Sequence, residues 1–223
     1  MIANAARRVD YSSTITVLVG SEKQPFIVHR DSIATRSKFF AAACSARWAT
    51  GKSKDKSVDL PDYEPDTFQR YVHWIYRDAI DLAPDLGKMP TYMDAYLACD
   101  QYIGLYLLAD FLRDTKLLDR IVDILRDGFN DCAEVHDGLL PHIDQLRRIY
   151  EHTAPGSPLR KLVVDYFVER MNIKGFDQHV DELPRDFVYA LARRALAVCN
   201  EMSPTNVQAA KEAYHEPLEE NAG

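Results

Sequence analysis

No stretch of this sequence approaches the roughly 18 uninterrupted apolar residues that a membrane helix needs. The opening MIANAARRVDYSS also lacks an apolar run of the signal-peptide kind. Both absences point to a cytoplasmic or nuclear setting and to no membrane partner. Cysteine is sparse, with Cys44, Cys99, Cys132 and Cys199 far apart and no C-x-x-C pair. That spacing excludes a zinc ribbon or finger of the usual kind and gives no disulfide framework. All but Cys132 fall on apolar helical stretches, and all four are expected to be small core residues in a reducing compartment. Basic residues are in deficit, 27 Lys and Arg against 34 Asp and Glu, a formal net charge of -7. A uniformly basic nucleic-acid module is thereby excluded, although a local basic patch is not.

Catalytic signatures are missing as well. No G-x-S-x-G elbow presents a serine nucleophile. Gly51-Lys52-Ser53 looks like the end of a phosphate-binding loop, but Ala46 stands where the first glycine belongs and the following VDL reads as a strand rather than a helix. A solvated basic bridge is the better reading. His136, His142 and His152 have no Asp or Glu at metal-ligand spacing, and His29, at a strand end, is expected to be a hydrogen-bonded structural residue. Asp59, Asp62, Glu64 and Asp66 crowd one loop, yet Pro61 and Pro65 break calcium-ligand spacing. Their expected role is to place negative charge at a helix N-terminus. No enzyme activity, metal or cofactor is expected.

What remains is an ordinary globular composition, 223 residues with 47% hydrophobic and 27% charged. Thr14 to Val19 alternates with Ile15, Val17 and Val19 on one side, and Phe26-Ile27-Val28 returns antiparallel after the turn at Gly20. Asp31 is placed to cap a helix carrying Ile33, Phe40 and Cys44 on one stripe, with Ser37 small enough to admit a neighbour. Val58 to Leu60 forms another strand, and Pro65 suits the first position of a helix with Phe68, Tyr71, Val72, Ile75 and Tyr76 on its buried face. Pro84, Gly87 and Pro90 mark a linker. Thr91, with Asp94 three residues on, then caps a helix to about Arg113 that is apolar all round between Tyr102 and Ala109, so that it should lie at the centre of the helical cluster. Thr115 to Asn130 follows, with Leu118, Ile121, Val122, Leu125 and Phe129 on one stripe. Beyond Gly138 the pattern is all helical: Ile143 to Ile149, a helix opened by Ser157-Pro158, and one opened by Pro184 with Phe187, Val188, Leu191, Ala195 and Val198. Three such helices cannot hide their stripes alone and should pack back on the first part.

The ordered set of a strand ending in Val28-His29, a helix with Ser37-x-x-Phe40, Val58-Asp59-Leu60-Pro61, Pro65-x-x-Phe68, Trp74-Ile75-Tyr76 and the later Leu107-Leu108-Ala109-Asp110-Phe111-Leu112 resembles the BTB/POZ domain, in the style of many fungal proteins. The resemblance covers roughly residues 12 to 130. It implies an α+β, mostly helical fold with a small sheet of about three strands packed on a cluster of helices, followed by an all-α extension. The expected organisation is 1-12 flexible arm, 13-132 interaction domain, 138-202 helical extension and 203-223 disordered acidic tail.

By the same resemblance the function is protein interaction without catalysis, as an adaptor or scaffold presenting substrates to a cullin-type ubiquitin ligase. The alternative is a self-associating or transcription-linked scaffold that recruits no ligase. Cullin-recruiting members carry a hydrophobic residue and, two positions later, an acid in the loop after the Ser-x-x-Phe helix. Here Trp48 occupies the first position and Thr50 stands where the acid belongs. Trp48 and Tyr63 each admit two readings, a ring folded over the core or an exposed anchor of the type that dominates binding hot spots. Trp48, Thr50 and Tyr63 are the candidate partner-binding residues, with a cullin and an unknown substrate as partners. Longer members of the resembling family exchange an extra N-terminal strand and helix, but only about a dozen residues precede the first strand here. No swapped homodimer is therefore expected: light scattering after size exclusion at micromolar concentration should show none, and a tight dimer that dissolves when residues 1 to 12 are deleted contradicts the expectation.

Overall fold

Alternation in the first strand decides where the sheet puts its core face. The computed structural model describes residues 10–48, 57–80, 82, 91–135, 141–171 and 173–202. Thr50, the Gly51-Lys52-Ser53 bridge, Pro84, Gly87, Pro90, His136, most of the expected arm and the tail from residue 203 lie outside the described residues. Strand β1 (Thr14–Val19) pairs antiparallel with β2 (Gln24–His29) and parallel with β3 (Ser57–Leu60), giving the order β2-β1-β3. Ile15, Val17 and Val19 are buried, as expected, together with Val28 and Leu60. Gly20, at φ 78, supplies the left-handed backbone of the hairpin turn.

A parallel β1-β3 pair requires a crossover, and two helices provide it: α1 (Arg30–Arg36) and α2 (Lys38–Trp48). The single stripe expected through Ile33, Phe40 and Cys44 is thus broken at Ser37. This serine is fully buried, and its Oγ donates to the Leu112 carbonyl at 2.7 Å while accepting from the Phe40 amide at 3.1 Å. The spacing Ser-x-x-Phe has a physical basis here, since a capping hydroxyl meets the amide three residues on, which belongs to a phenylalanine with no exposure. Asp31 does not cap α1. His29 precedes the helix, and the Asp31 carboxylate instead accepts from the Asp10 amide at 3.3 Å.

Helix α3 (Pro65–Arg77) begins at its proline as expected and buries Phe68, Tyr71, Trp74 and Ile75. Tyr76, expected on that face, is 45% exposed, and its hydroxyl bonds the backbone and ring of His29. The central helix α4 (Tyr92–Leu112) is capped by Thr91, whose Oγ accepts from the Asp94 amide at 3.1 Å, and is buried on nearly every side from Tyr102 to Ala109. Helix α5 (Thr115–Val135) buries Leu117, Ile121, Leu125 and Phe129, with Leu118 only half-buried. Between α4 and α5 sits Asp114, 1% exposed. Its Oδ1 accepts from the Leu117 amide at 3.1 Å, and its Oδ2 accepts from Trp74 Nε1 at 3.0 Å and the Tyr71 hydroxyl at 3.3 Å.

Among the described residues four α-helices follow rather than the three expected: α6 (Ile143–His152), α7 (Pro158–Arg170), the unexpected short α8 (Ile173–His179) and α9 (Arg185–Met202). Seven residues lacking a clear apolar stripe leave α8 without a periodic signature. Ser157 does not cap α7 with its side chain; its hydroxyl pairs with that of Tyr106 at 2.9 Å, tying the α6-α7 turn to α4. Gln145 is buried because it bonds twice, accepting from the His142 amide and donating to the Tyr96 carbonyl, both at 3.0 Å. Phe129, Tyr166, Phe167 and Phe187 continue the core from α5 through α7 to α9. Cys99 and Cys132 are core residues, Cys44 is half-buried and Cys199, expected inside, is exposed.

Replacing Asp114 by Ala leaves the Trp74 and Tyr71 donors buried without an acceptor and removes the α5 cap. A loss of about 3 kcal/mol follows, readable as a lower urea midpoint with an unchanged slope; an unaltered midpoint contradicts the role given to Asp114. A weaker latch joins α4 to α6, where Asp144 accepts from the Tyr96 hydroxyl at 2.5 Å and pairs with His142 Nδ1 at 2.6 Å. Partial burial pushes the Asp144 carboxyl up, but the Tyr96 and His142 hydrogen bonds outweigh it and hold the group below its ordinary value. Its contribution is therefore complete above the unfolded carboxyl pKa of about 4 and vanishes as pH falls through the lower folded value. Both side chains are about half exposed, so screening limits the effect to below about 1 kcal/mol. Asp144→Asn should lower stability slightly at pH 7, and the gap from wild type should shrink as pH falls below the ordinary carboxyl range; a gap independent of pH contradicts the linkage.

Candidate interaction surface

Three aromatic rings brought from separate elements share one surface. Phe39 comes from α2, Tyr63 from the turn after β3, and Phe111 from the last turn of α4. Phe111 stacks at a tilt between the other two, with centroids 5.0 Å from Phe39 and 5.4 Å from Tyr63. Phe39 also meets buried Phe40 edge-on at 5.2 Å, so the row is anchored in the core at one end. At the other end Pro65 packs over Gly20, where an added Cβ would lie 3.4 Å from the proline ring. The Tyr63 turn is thereby held against the sheet hairpin.

Phe111 is 44% exposed, and Phe39 and Tyr63 are half-buried. An exposed ring supported on both faces by other rings has little rotamer freedom left to lose when a partner covers it. Two shallow hollows flank it. The first, about 580 Å3, has Phe39, Ala42, Ala43, Val58 and Phe111 as its apolar lining and Lys38, Asp110 and Arg113 at its edge. The second, about 420 Å3, lies against Tyr63, Leu107 and Phe111 with Asp62, Glu64, Asp110, Arg148 and His152 around it. Burial, followed by the Asp62 and Asp110 carboxylates, pushes the Tyr63 phenol above its usual range, so it stays a protonated donor at neutral pH.

Helix α6 supplies part of the second hollow. Gly104 on α4 makes room for the Arg148 guanidinium, whose Nη2 would be 3.1 Å from a Cβ there, while Nη1 donates to Asp100 at 2.9 Å. The surface therefore runs from the Ser-x-x-Phe helix, across the end of α4, onto a helix of the later part of the chain.

Of the three residues singled out in the sequence, Tyr63 takes part in this surface, at once half-covering the core and stacking on Phe111. Trp48 is the last residue of α2; its side chain, like Thr50, lies outside the described residues. Sequence reasoning missed Phe111 and Phe39 as surface anchors. Phe111 was legible only as part of a helical landmark, and Phe39 was hidden beside the motif phenylalanine. Their meeting depends on how α2 crosses α4, which no local spacing encodes. The expected structural histidine is as foreseen: His29 Nδ1 lies 2.8 Å from the Tyr76 hydroxyl, with Tyr11 edge-on at 5.2 Å. Among the described residues no group of three or more His, Cys, Asp or Glu could hold a metal ion, and none of the helices is long and apolar enough to cross a membrane. Asp59, Asp62, Glu64 and Asp66 are all exposed, with Asp66 in the first turn of α3.

No curated protein sequence matches the chain. Among solved structures, the BTB domain of zebrafish PATZ1 is similar, at 17% identity and a TM-score of 0.37, over 50% of this chain and 74% of that one. The family model for the BTB/POZ domain matches residues 4–116. That match spans half of the sequence and includes every strand of the sheet and the aromatic row, and this chain belongs to the BTB/POZ domain family.

Proposed function

We propose that the chain is an adaptor whose aromatic edge recruits a cullin-type ubiquitin ligase and whose later helices receive the protein to be modified. The family assignment supports the coarser part, a protein interaction module. The carrying observation for the finer part is Phe111, exposed yet held between Phe39 and Tyr63 beside two apolar hollows. This edge includes the helix that ends at Trp48, the side on which the resembling cullin-recruiting members carry their hydrophobic anchor. Thr50 removes the acid expected there; Asp110, which borders both hollows, is the carboxylate this edge offers in its place. Residues 13–132 act as the interaction domain and 138–202 as the extension, and the setting is cytoplasm or nucleus.

Hot-spot aromatics commonly contribute 2 kcal/mol or more, about thirtyfold in affinity. Phe111→Arg should therefore abolish recovery of cullin with the full-length protein while leaving the circular-dichroism melt within a few degrees of wild type. No cullin recovered with wild type and with Trp48→Ala alike would sink the ligase reading. Concentration-dependent oligomers in that case would favour the self-associating scaffold instead.

A further inference from the structure

A groove that shares no lining residue with the aromatic edge lies between α7, α9 and the turn after α6. It has a volume of about 670 Å3, within the range of sites that hold a small molecule or a short peptide segment. Its apolar surfaces come from Tyr150, Val164, Tyr189 and Ala190. Tyr189 is 66% exposed, with the Arg193 guanidinium 5.7 Å from its ring centre. Such an aromatic wall, open to solvent and backed by a cation, is the kind of feature that binding surfaces enrich.

The charged groups show what the groove would take. Arg194 and Asp165 neutralise each other at 2.6 Å. Arg160 is fixed over the Tyr150 ring at 4.4 Å and donates to the Tyr150 carbonyl, the Thr153 carbonyl and the Thr153 hydroxyl, so its charge is locked at the wall. No hydrogen-bond or ion-pair partner engages the Lys161 or Asp186 side chain among the described residues, and Asp186 is already favoured by the first turn of α9. Tyr150 adds a hydroxyl that is shielded from solvent and has no hydrogen-bond partner. Burial pushes its pKa up to about 12, so it remains a donor. Outside the Arg194-Asp165 pair the lining therefore keeps two cations, Arg160 and Lys161, against one anion, Asp186, set around apolar surface in a chain whose net charge is -7.

We infer that this groove is a docking site for an acidic segment of a partner protein, with a large apolar side chain seated against Tyr189, Val164 and Ala190 and a carboxylate facing Lys161 and Arg160. The inference deepens the adaptor reading by naming the chemistry of the segment the later helices receive. Its test uses the full-length, isotope-labelled chain and two blocked peptides, Glu-Glu-Trp-Glu-Glu and Lys-Lys-Trp-Lys-Lys. The acidic peptide should bind saturably, shift the amide signals of Lys161, Val164, Asp186 and Ala190, and bind at least tenfold more tightly than the basic one. Lys161→Glu, a change at an exposed side chain, should weaken it tenfold or more, and Asp186→Asn should leave binding equal or tighter. Shifts confined to other parts of the surface, equal binding of the two peptides, or indifference to Lys161→Glu overturns the inference. Cullin recovery with Lys161→Glu separates the two ideas: peptide binding without cullin defeats only the ligase reading, and cullin recovery without peptide binding defeats only this one.

Discussion

A buried polar corner between α4 and α5 fixes the geometry on which everything else rests. The chain leaves α4 through Arg113, at φ 57, and enters α5 through Asp114. Ser37 reaches this corner from the α1-α2 break and donates to the Leu112 carbonyl, while Trp74 and Tyr71 reach it from α3 and donate to Asp114. A carboxylate that is 1% exposed is tolerable only because each of its oxygens is engaged. Its three donors come from two helices, so α3 and α5 can approach in essentially one way. Arg36 and Lys116 strengthen the same junction from outside, lying 5.2 and 5.5 Å from the centre of the Trp74 ring while both pair with Asp78. Apolar packing alone tolerates many arrangements, but a shared buried acceptor selects among them.

That corner also sets the aromatic edge. Ser37 binds the carbonyl of Leu112, the residue next to Phe111, and the same hydroxyl starts the helix that carries Phe39 and Phe40. One buried hydrogen bond therefore places two of the three stacked rings relative to each other. Tyr63 arrives by a different route, from β3 through a turn held by Pro65 against Gly20. The edge is consequently a property of the domain's tightest packing rather than of a loop, and a partner would meet it largely in its final form.

Much of this was legible along the sequence wherever a local rule governs the outcome. The alternation from Thr14 to Val19, the proline at the start of α3, the Thr91 cap and the all-round apolar stretch of α4 each depend on neighbours a few residues apart. The failures occur where a distant group decides. Ser37 interrupts what looks like one stripe because its hydroxyl has a partner 75 residues away. Asp31 has the right chemistry for a cap, but His29 is already the residue before the helix. Ser157 prefers the Tyr106 hydroxyl to its own helix, and Tyr76 points outward because His29 offers it both a backbone and a ring nitrogen. The site was legible in part for the same reason: Tyr63 could be singled out alone, whereas Phe39 and Phe111 become a surface only through the crossing of α2 and α4.

The later helices are joined to this domain by means that leave their own outer surface free. Gln145 and the Ser157-Tyr106 pair attach them to α4, and Phe129 against Tyr166 at 5.3 Å attaches them to α5. These contacts use the α4- and α5-facing sides of α6 and α7, while α9 packs on the side of α7 turned toward Phe187. The groove between α7 and α9 has no lining residue in common with the Phe39-Phe111-Tyr63 row or the two hollows beside it. Because the buried cluster is continuous from the sheet to Phe187 and Leu191, the separation between them is set by packed side chains instead of a linker.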